Sequence, residues 1–443
     1  MRIGIDFGTT NSGAAAFDGE GVHLFPVDPV GRDPAVIRST LYITREQEVF
    51  IGQEAIDTYY RQNIGRPSRM VRQYVGEIEM TFAELPTIVR DVYVMVDELT
   101  PGRLLHSLKS ELVGTYEGTT IFGRYYELEE LVALYLEEIR WRVERQTGES
   151  VDSVVLGRPV NFTGSRSGAD NQRAEGRLRR AAQLAGFRDI SFELEPIAAA
   201  RHYALTVTEP QNIVVFDFGG GTLDITVMRV GEREQQVFAT GGVGIAGDAF
   251  DQRIIAKLML DHFGQGTTWG DKENPFPRKY TDALVDWQTI PELNRPETLH
   301  FLQLAQINGS HPSRARALES LLVNNYAIRL IDEVEQAKVG LSTKRFSMIR
   351  LDGDDIDIWQ PITRSQFEAL IADMARQIQA CLLDTLARSG LTAGEIDTVV
   401  RTGGSAQIPY FIEMMEGIFG REKVILSEVF SGVTAGLAIC ARM

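Results

Sequence analysis

Ile3-Gly4-Ile5-Asp6-Phe7-Gly8-Thr9-Thr10-Asn11 and, much later in the chain, Val214-Val215-Phe216-Asp217-Phe218-Gly219-Gly220-Gly221-Thr222 follow one plan. Each is an apolar strand that ends on Asp-Phe-Gly and turns through a short polar loop. Each then re-enters a strand, Gly13-Ala14-Ala15-Ala16-Phe17 in the first case and Leu223-Asp224-Ile225-Thr226-Val227-Met228 in the second. Two such hairpins predict a duplicated α/β domain with a cleft between its halves, not a solenoid. A glycine-rich turn lets successive backbone N–H groups converge on an anion, and the missing Cβ lets that anion come close. Thr9, Thr10 and Thr222 add hydroxyl donors. Asp6 and Asp217 repel phosphate directly, so their presence points to a hydrated Mg²⁺ between carboxylate and polyphosphate. A single turn of this kind also reads as an ordinary hairpin; the matched pair favours phosphate.

Around the hairpins the pattern alternates between strand and helix, as α/β domains do. Residues 127–146 place Leu128, Leu131, Val132, Tyr135, Ile139 and Val143 on one helical face, with Gly148 as a stop. A buried strand is expected at 151–155, a helix at 171–185, and a helix at 197–205 with Pro196 in its first turn. Helical patterns also cover 250–263 and 326–341. Between them, 262–320 is rich in Gly, Pro, Asn and Trp and reads as an insertion of irregular loops and short helices. Near the end, Thr398-Val399-Val400-Arg401 is a strand, Thr402-Gly403-Gly404-Ser405 a turn, and a helix starts at about Ile408.

Bulk properties narrow the function. A chain of 443 residues exceeds what one core serves, so at least two core units are expected. A net charge of −16 opposes broad binding to nucleic-acid backbones or anionic membranes. Arg61, Arg66, Arg69 and Arg72 cluster locally, while Arg173, Arg177 and Arg180 have helical spacing and read as a solvated face. Cys381 and Cys440 form no CxxC pair, and the six histidines show no metal-ligand spacing, which disfavours structural zinc. The N-terminus lacks a leader pattern, and no run reaches the roughly 18 apolar residues of a membrane span. A cytoplasmic protein with no nucleic-acid or membrane partner is expected.

Taken in order, the motifs resemble those of the 70-kDa heat-shock chaperone (DnaK-like) family. The stretch 5–12 is similar to its first phosphate motif and 216–224 to its second. Glu195-Pro196-Ile197-Ala198-Ala199-Ala200 resembles its Glu-Pro-x-Ala-Ala-Ala segment. Gly247-Asp248-Ala249-Phe250-Asp251 resembles its Gly-Gly-x-Asp-Phe-Asp segment, with Ala246 where glycine is usual. Glu335-Gln336-Ala337-Lys338 and Leu341-Ser342 resemble the adenosine-holding helix, and Gly403-Gly404-Ser405-Ala406-Gln407 the adenosine motif. The resemblance spans nearly the whole chain. It implies a two-lobed actin-like ATPase fold, made of duplicated ribonuclease-H-like domains that each carry a smaller subdomain and close over Mg-ATP or Mg-ADP. Lobe I is expected at 1–208 with 424–443 returning to it, and its smaller subdomain at about 36–125. Lobe II is expected at 209–423, with its smaller subdomain at about 246–360.

The resemblance also assigns roles. Asp6 and Asp217 hold Mg²⁺; Gly8, Thr9, Thr10, Asn11, Gly219, Gly220, Gly221 and Thr222 face the phosphates, with Gly247 and Asp248 nearby. Glu335, Lys338, Ser342, Gly403, Gly404, Ser405 and Gln407 serve the nucleoside. Lys109, in a segment matching the family's catalytic lysine, lies by the γ-phosphate or attacking water; Glu195 orients water, with Asp217, Thr222 and Asp224 beside it. Hydrolysis in this family is slow and times lobe closure.

Three departures qualify this expectation. The family sandwiches adenine between two arginines, where this chain has Val339 and Gln407, so weaker and less adenine-selective binding is expected. The stretch 429–436 lacks the family's acidic residue. The chain ends at Met443, directly after the last helix of the nucleotide-binding region, as in the short YegD-type members. On that reading no peptide-binding domain follows, and an unidentified protein partner or client is met by the ATPase lobes, with 262–320 the first candidate. A chaperone-like nucleotide switch is therefore the leading reading. An actin-like filament ATPase and a nucleotide-binding pseudo-ATPase are the alternatives; a sugar kinase lacks a recognisable acceptor site.

Overall fold

Both Asp-Phe-Gly turns leave the central strand of a sheet, and the two sheets share one topology. The computed structural model describes residues 1–64, 66, 69–82, 85–207, 209–231, 235–286, 290–426 and 432–442. The first sheet contains β1 (Arg2–Phe7), β2 (Asn11–Phe17), β3 (Val22–Leu24), β4 (Ser153–Arg158) and β5 (Asp189–Leu194) in the order β5-β4-β1-β2-β3. The second contains β6 (Gln211–Phe218), β7 (Leu223–Val230), β8 (Gln235–Val243), β9 (Thr398–Thr402) and β10 (Val424–Leu426) in the order β10-β9-β6-β7-β8. In each, the first three strands pair antiparallel as a meander, and the last two join parallel to the first. This is the duplicated α/β fold expected from the paired hairpins. A short strand, Ile37–Arg38, adds to β2 beside the first turn.

Central strands covered on both faces need continuous apolar runs, and Ile3, Gly4 and Ile5, like Ile213 to Phe216, are buried without alternation. One face of the first sheet is covered by α1 (Leu128–Thr147) and α2 (Gly168–Leu184), whose Leu131, Val132, Ile139 and Leu178 share a core with Ile3, Ile5 and Phe7. A second core joins α3 (Glu195–Ala204) and α5 (Gly432–Arg442) to Ile213, Val215, Met228 and Val400. The crossing of α3 and α5 is tight, because a Cβ on Gly436 would overlap the carbonyl of Ala198. On the second sheet, α4 (Ala372–Ser389) packs against β7 and β8.

The chain divides into two compact units, the first being Met1–Tyr59, Gly102–Phe250 and Ile371–Met443. Both duplicated sheets belong to this unit. The second unit, Tyr60–Pro101 with Asp251–Leu370, contains the helices Pro296–Asn308, Pro312–Val323 and Ala327–Thr343 and the hairpin Phe346–Gly353 with Ile356–Thr363. A long two-stranded ribbon, Met70–Phe82 with Leu85–Asp97, also lies in it.

Three local expectations need correction. The stretch 262–320, read as irregular loops and short helices, does carry these but is more regular than that: Pro296–Asn308 lies in it and Pro312–Val323 starts in it, each with a proline in its first turn. Phe301 anchors the first of these helices in an aromatic cluster with Trp269, Phe276 and Tyr280. The helical pattern at 250–263 is not one regular helix; Gly247–Ile254 widens into a π turn at Ile255–Met259 and tightens at Leu260–Phe263. Arg177 does not belong to a solvated face. It is half-buried, with Nε donating to Glu129 at 2.6 Å and an η-nitrogen donating to the Tyr116 carbonyl at 2.9 Å. Val429, Phe430, Ser431 and the Arg72 side chain lie outside the described residues. No helix among the described residues is long and apolar enough to cross a membrane.

Candidate functional site

Strand alternation sets the orientation of each Asp-Phe-Gly. Phe7 goes into the core against Tyr135, with ring centroids 5.6 Å apart, and Phe218 packs edge-on to Phe411 at 5.0 Å. Asp6 and Asp217 are thereby turned to the other side, at the mouths of the turns. Across the first hairpin Asp6 faces Gly13, whereas across the second Asp217 faces Asp224.

The two turns meet. A Cβ on Gly220 would overlap Thr10 Oγ1, and one on Gly221 would lie 2.7 Å from Thr9 Oγ1. The glycines of the second turn are thus the space occupied by the threonines of the first. Thr10 Oγ1 is buried and has no hydrogen-bond partner among the described residues. The hydroxyl is enclosed against Gly220 of the second turn, where a buried polar atom costs free energy until it finds an acceptor. Gly219 N bonds to Thr222 O at 3.2 Å, closing the second turn, and Gly247 and Asp248 reach it through backbone bonds to Gly219 O and Gly220 O.

The charged groups converge beside the turns. Lys109 comes from the tight turn Leu108–Leu112, entered through Ser107 in a left-handed conformation. Glu195 opens α3, with Pro196 in the first turn. Both side chains are buried, and Lys109 Nζ donates to Glu195 Oε1 at 2.5 Å. Burial first, and then the Glu195 charge, push Asp6 up to about 7, against the pull of Lys109. Burial and Glu195 also raise Asp224 to about 7, partly offset by the Thr222 hydroxyl and by Val160 N–H, which donates to it. Asp217 is held well above the ordinary carboxylate range by burial and then by Glu195, Asp224 and Asp6. Burial opposes the charge on Lys109, but Glu195, Asp6 and Asp224 outweigh it and raise its pKa. One ammonium thus stands among four carboxylates, of which Glu195 and Asp224 are buried, and the raised pKa values of Asp6, Asp217 and Asp224 are what a bound cation would reverse.

A magnesium ion fits this donor set. Among the described residues no three Asp, Glu, His or Cys side chains converge closely enough to ligate a metal directly. Paired but separated carboxylates beside a hydroxyl-lined nest suit an ion that keeps most of its waters and takes its other ligands from phosphate.

The remaining predicted residues divide between the units. Gly403, with φ +83°, follows β9, and its missing Cβ lets it press against the Phe218 carbonyl. Ser405 Oγ donates to Gly219 O at 2.7 Å, and Gln407 is half-buried in the same short turn. Asp6, Gly8, Thr9, Thr10, Asn11, Lys109, Glu195, Asp217 to Thr222, Asp224, Gly247 and Asp248 also fall in the first unit. Glu335, Lys338 and Ser342 lie in the second, on Ala327–Thr343. There Lys338 Nζ is buried and donates to Asp251 at 2.5 Å, while Val339 is half exposed. Sequence reading misses Ser39, whose hydroxyl donates to Gly8 O at 2.7 Å. No local pattern marks it, because it reaches the turn through the pairing of Ile37–Arg38 with β2.

A family model described as "Hsp70 protein" matches residues 2–275 and 319–443. The break in the match, 276–318, falls within the stretch read as an insertion.

Proposed function

Since the chain belongs to the Hsp70 family of ATP-binding, chaperone-type ATPases, we propose that it hydrolyses Mg-ATP slowly and uses the bound nucleotide as a conformational switch. The observation that carries this reading is the buried Lys109–Glu195 pair beside two interlocking turns, with an unpartnered Thr10 hydroxyl between them. Phosphoryl transfer is mainly a problem of positioning and charge compensation, and these residues supply both. The turns offer backbone N–H groups and threonine hydroxyls to the β- and γ-phosphates. Asp6 and Asp217 hold the hydrated ion, which neutralises phosphate charge when bound. Lys109 lies by the γ-phosphate, Glu195 accepts a hydrogen bond from the attacking water, and Asp224 supports Asp217 across the hairpin.

The nucleoside end belongs to the same proposal. By the family resemblance, Gly403, Gly404, Gln407, Glu335, Lys338 and Ser342 are assigned to it, in lobes spanning 1–208 with 424–443 and 209–423. With Val339 and Gln407 in place of stacking arginines, GTP competes with ATP better than in arginine-bearing relatives. Contact with a protein partner is assigned to 262–320, where Ile307 is exposed. The direct test is phosphate release from Mg-ATP by wild type and Lys109→Ala, with and without chelator. Slow release that the substitution and the chelator both abolish is expected; equal release in all arms removes the assignment.

A further inference from the structure

The two turns share a device that lies outside the motifs. In the first, Ser39 Oγ donates to Gly8 O at 2.7 Å and Ser39 N donates to Thr10 O at 2.8 Å. In the second, Ser405 Oγ donates to Gly219 O at 2.7 Å, and Asp248 N donates to Gly220 O at 2.9 Å. Gly8 and Gly219 occupy the same place, each directly after Asp-Phe. The serines come from unrelated elements, one beside β2 and one after β9, yet both are buried and cap the same carbonyl at the same distance. Ser39 is itself held: its single proton goes to Gly8 O, so the 2.9 Å contact between Ser12 Oγ and Ser39 Oγ runs from Ser12 to Ser39.

A phosphate nest works only while its N–H groups point at the anion. Turning over the plane that follows a glycine changes that glycine's ψ and the next residue's φ, so it is cheap at Gly219–Gly220, whereas at Gly8–Thr9 the β-branched Thr9 opposes it together with Ser39. Such a flip would replace an N–H donor with a carbonyl oxygen that repels phosphate. A serine bonded to the carbonyl blocks it, and at Gly219 O the Gly247 N–H adds a second, longer bond of 3.3 Å. We propose that Ser39 and Ser405 are paired positioning residues that lock the Gly8–Thr9 and Gly219–Gly220 peptide planes, so that the N–H groups of Thr9 and Gly220 stay presented to the nucleotide's phosphates. This assignment rests on the ATP-site reading above and deepens it. For Ser405 it also separates a phosphate-side role from the nucleoside contact implied by resemblance.

Calorimetric titration of Mg-ADP and of adenosine into wild type, Ser39→Ala, Ser405→Ala, the double variant, Ser39→Thr and Ser405→Thr tests it. Each alanine variant weakens Mg-ADP about tenfold and the double variant about a hundredfold, the two sites being independent. Adenosine affinity stays at the wild-type value, and the threonine variants, which restore a hydroxyl, recover most of the loss. In steady-state hydrolysis KM rises while kcat changes by less than about threefold, as for an interaction lost from ground and transition state alike. Alanine variants that bind Mg-ADP as wild type does overturn the proposal. So does a parallel loss of adenosine affinity, which reports general damage or, for Ser405 alone, a nucleoside contact. Wild type that binds neither Mg-ADP nor adenosine overturns the ATP-site reading itself, a separate result from wild type that binds and variants that match it.

Discussion

The two halves of the duplication have the same strand order but furnish their turns in opposite ways. The first turn brings bulk and hydroxyls in Thr9 and Thr10; the second brings emptiness in Gly220 and Gly221, into which those threonines fit. Across the hairpin the first half has Gly13 and the second Asp224. Lys109 and Glu195 both precede the second sheet in the chain, Lys109 in the turn Leu108–Leu112 and Glu195 directly after β5. Duplication supplied two similar scaffolds, and divergence made them complementary rather than redundant. A site of this kind fails when either side is altered, but through a different physical cause on each.

The largest expected effect is on the side that holds the ammonium of the cluster. Lys109→Ala leaves Glu195 buried without its partner, so turnover of Mg-ATP falls by about 10²–10⁴-fold. The metal-free protein also loses about 3–5 kcal/mol of stability in denaturant titrations. Lys109→Arg separates charge from shape. Equal losses for Ala and Arg point to geometry, and recovery by Arg points to charge.

Next comes the empty side. Gly220→Val places a branched side chain where Thr10 Oγ1 sits, and Mg-ATP affinity measured by calorimetry is expected to fall at least a hundredfold. Thr10→Ala, on the full side, removes only a donor and costs about tenfold. Equal losses would erase the asymmetry.

The carboxylate present only in the second half gives a pH signature. The folded state holds a proton on Asp224 up to about pH 7, whereas an unfolded chain releases it near the ordinary value of 3.8. The folded state therefore binds more protons across that window, and its contribution to stability falls as pH rises from about 4 to 7. In chelator, Asp224→Asn is expected to be more stable than wild type at pH 8, by about 2–4 kcal/mol, and equal to it near pH 4. A pH-independent difference in unfolding free energy would contradict the raised pKa assigned to Asp224 by burial and by Glu195.

The smallest effect lies at the nucleoside end. Gln407→Arg is expected to raise ATP affinity by about three- to tenfold and to sharpen ATP over GTP, through about 0.5–2 kcal/mol of ring stacking. No change in the ATP-to-GTP ratio would show that Gln407 does not face the base.

The fold is legible in the sequence because its deciding signal is local and doubled. Alternation puts Phe7 and Phe218 inward and the aspartates outward, and residues 127–146 carry the clean apolar face of α1. The helix Pro296–Asn308 is hidden because Leu299, Phe301, Leu302, Leu304 and Ile307 surround its axis instead of forming one stripe. Lys109 lies in a short turn with no periodicity and is reached by resemblance alone. Ser39 and the second function of Ser405 are out of reach, because each acts on a glycine far away in sequence. Arg177 reads as solvated on its own helix, because its partners Glu129 and Tyr116 belong to other segments.

Because the two turns are complementary in shape, Thr10→Ala and Gly220→Ala are coupled in a double-mutant cycle read as Mg-ATP affinity. The severest overlap introduced by Gly220→Ala is with Thr10 Oγ1, so trimming Thr10 relieves most of the clash, leaving closer-than-usual contacts to Thr10 Cβ and Asp248 Oδ1. The predicted result is a double variant that binds more tightly than Gly220→Ala alone, although Thr10→Ala by itself weakens binding. Strictly additive losses would mean that the two turns do not share one ligand-filled space.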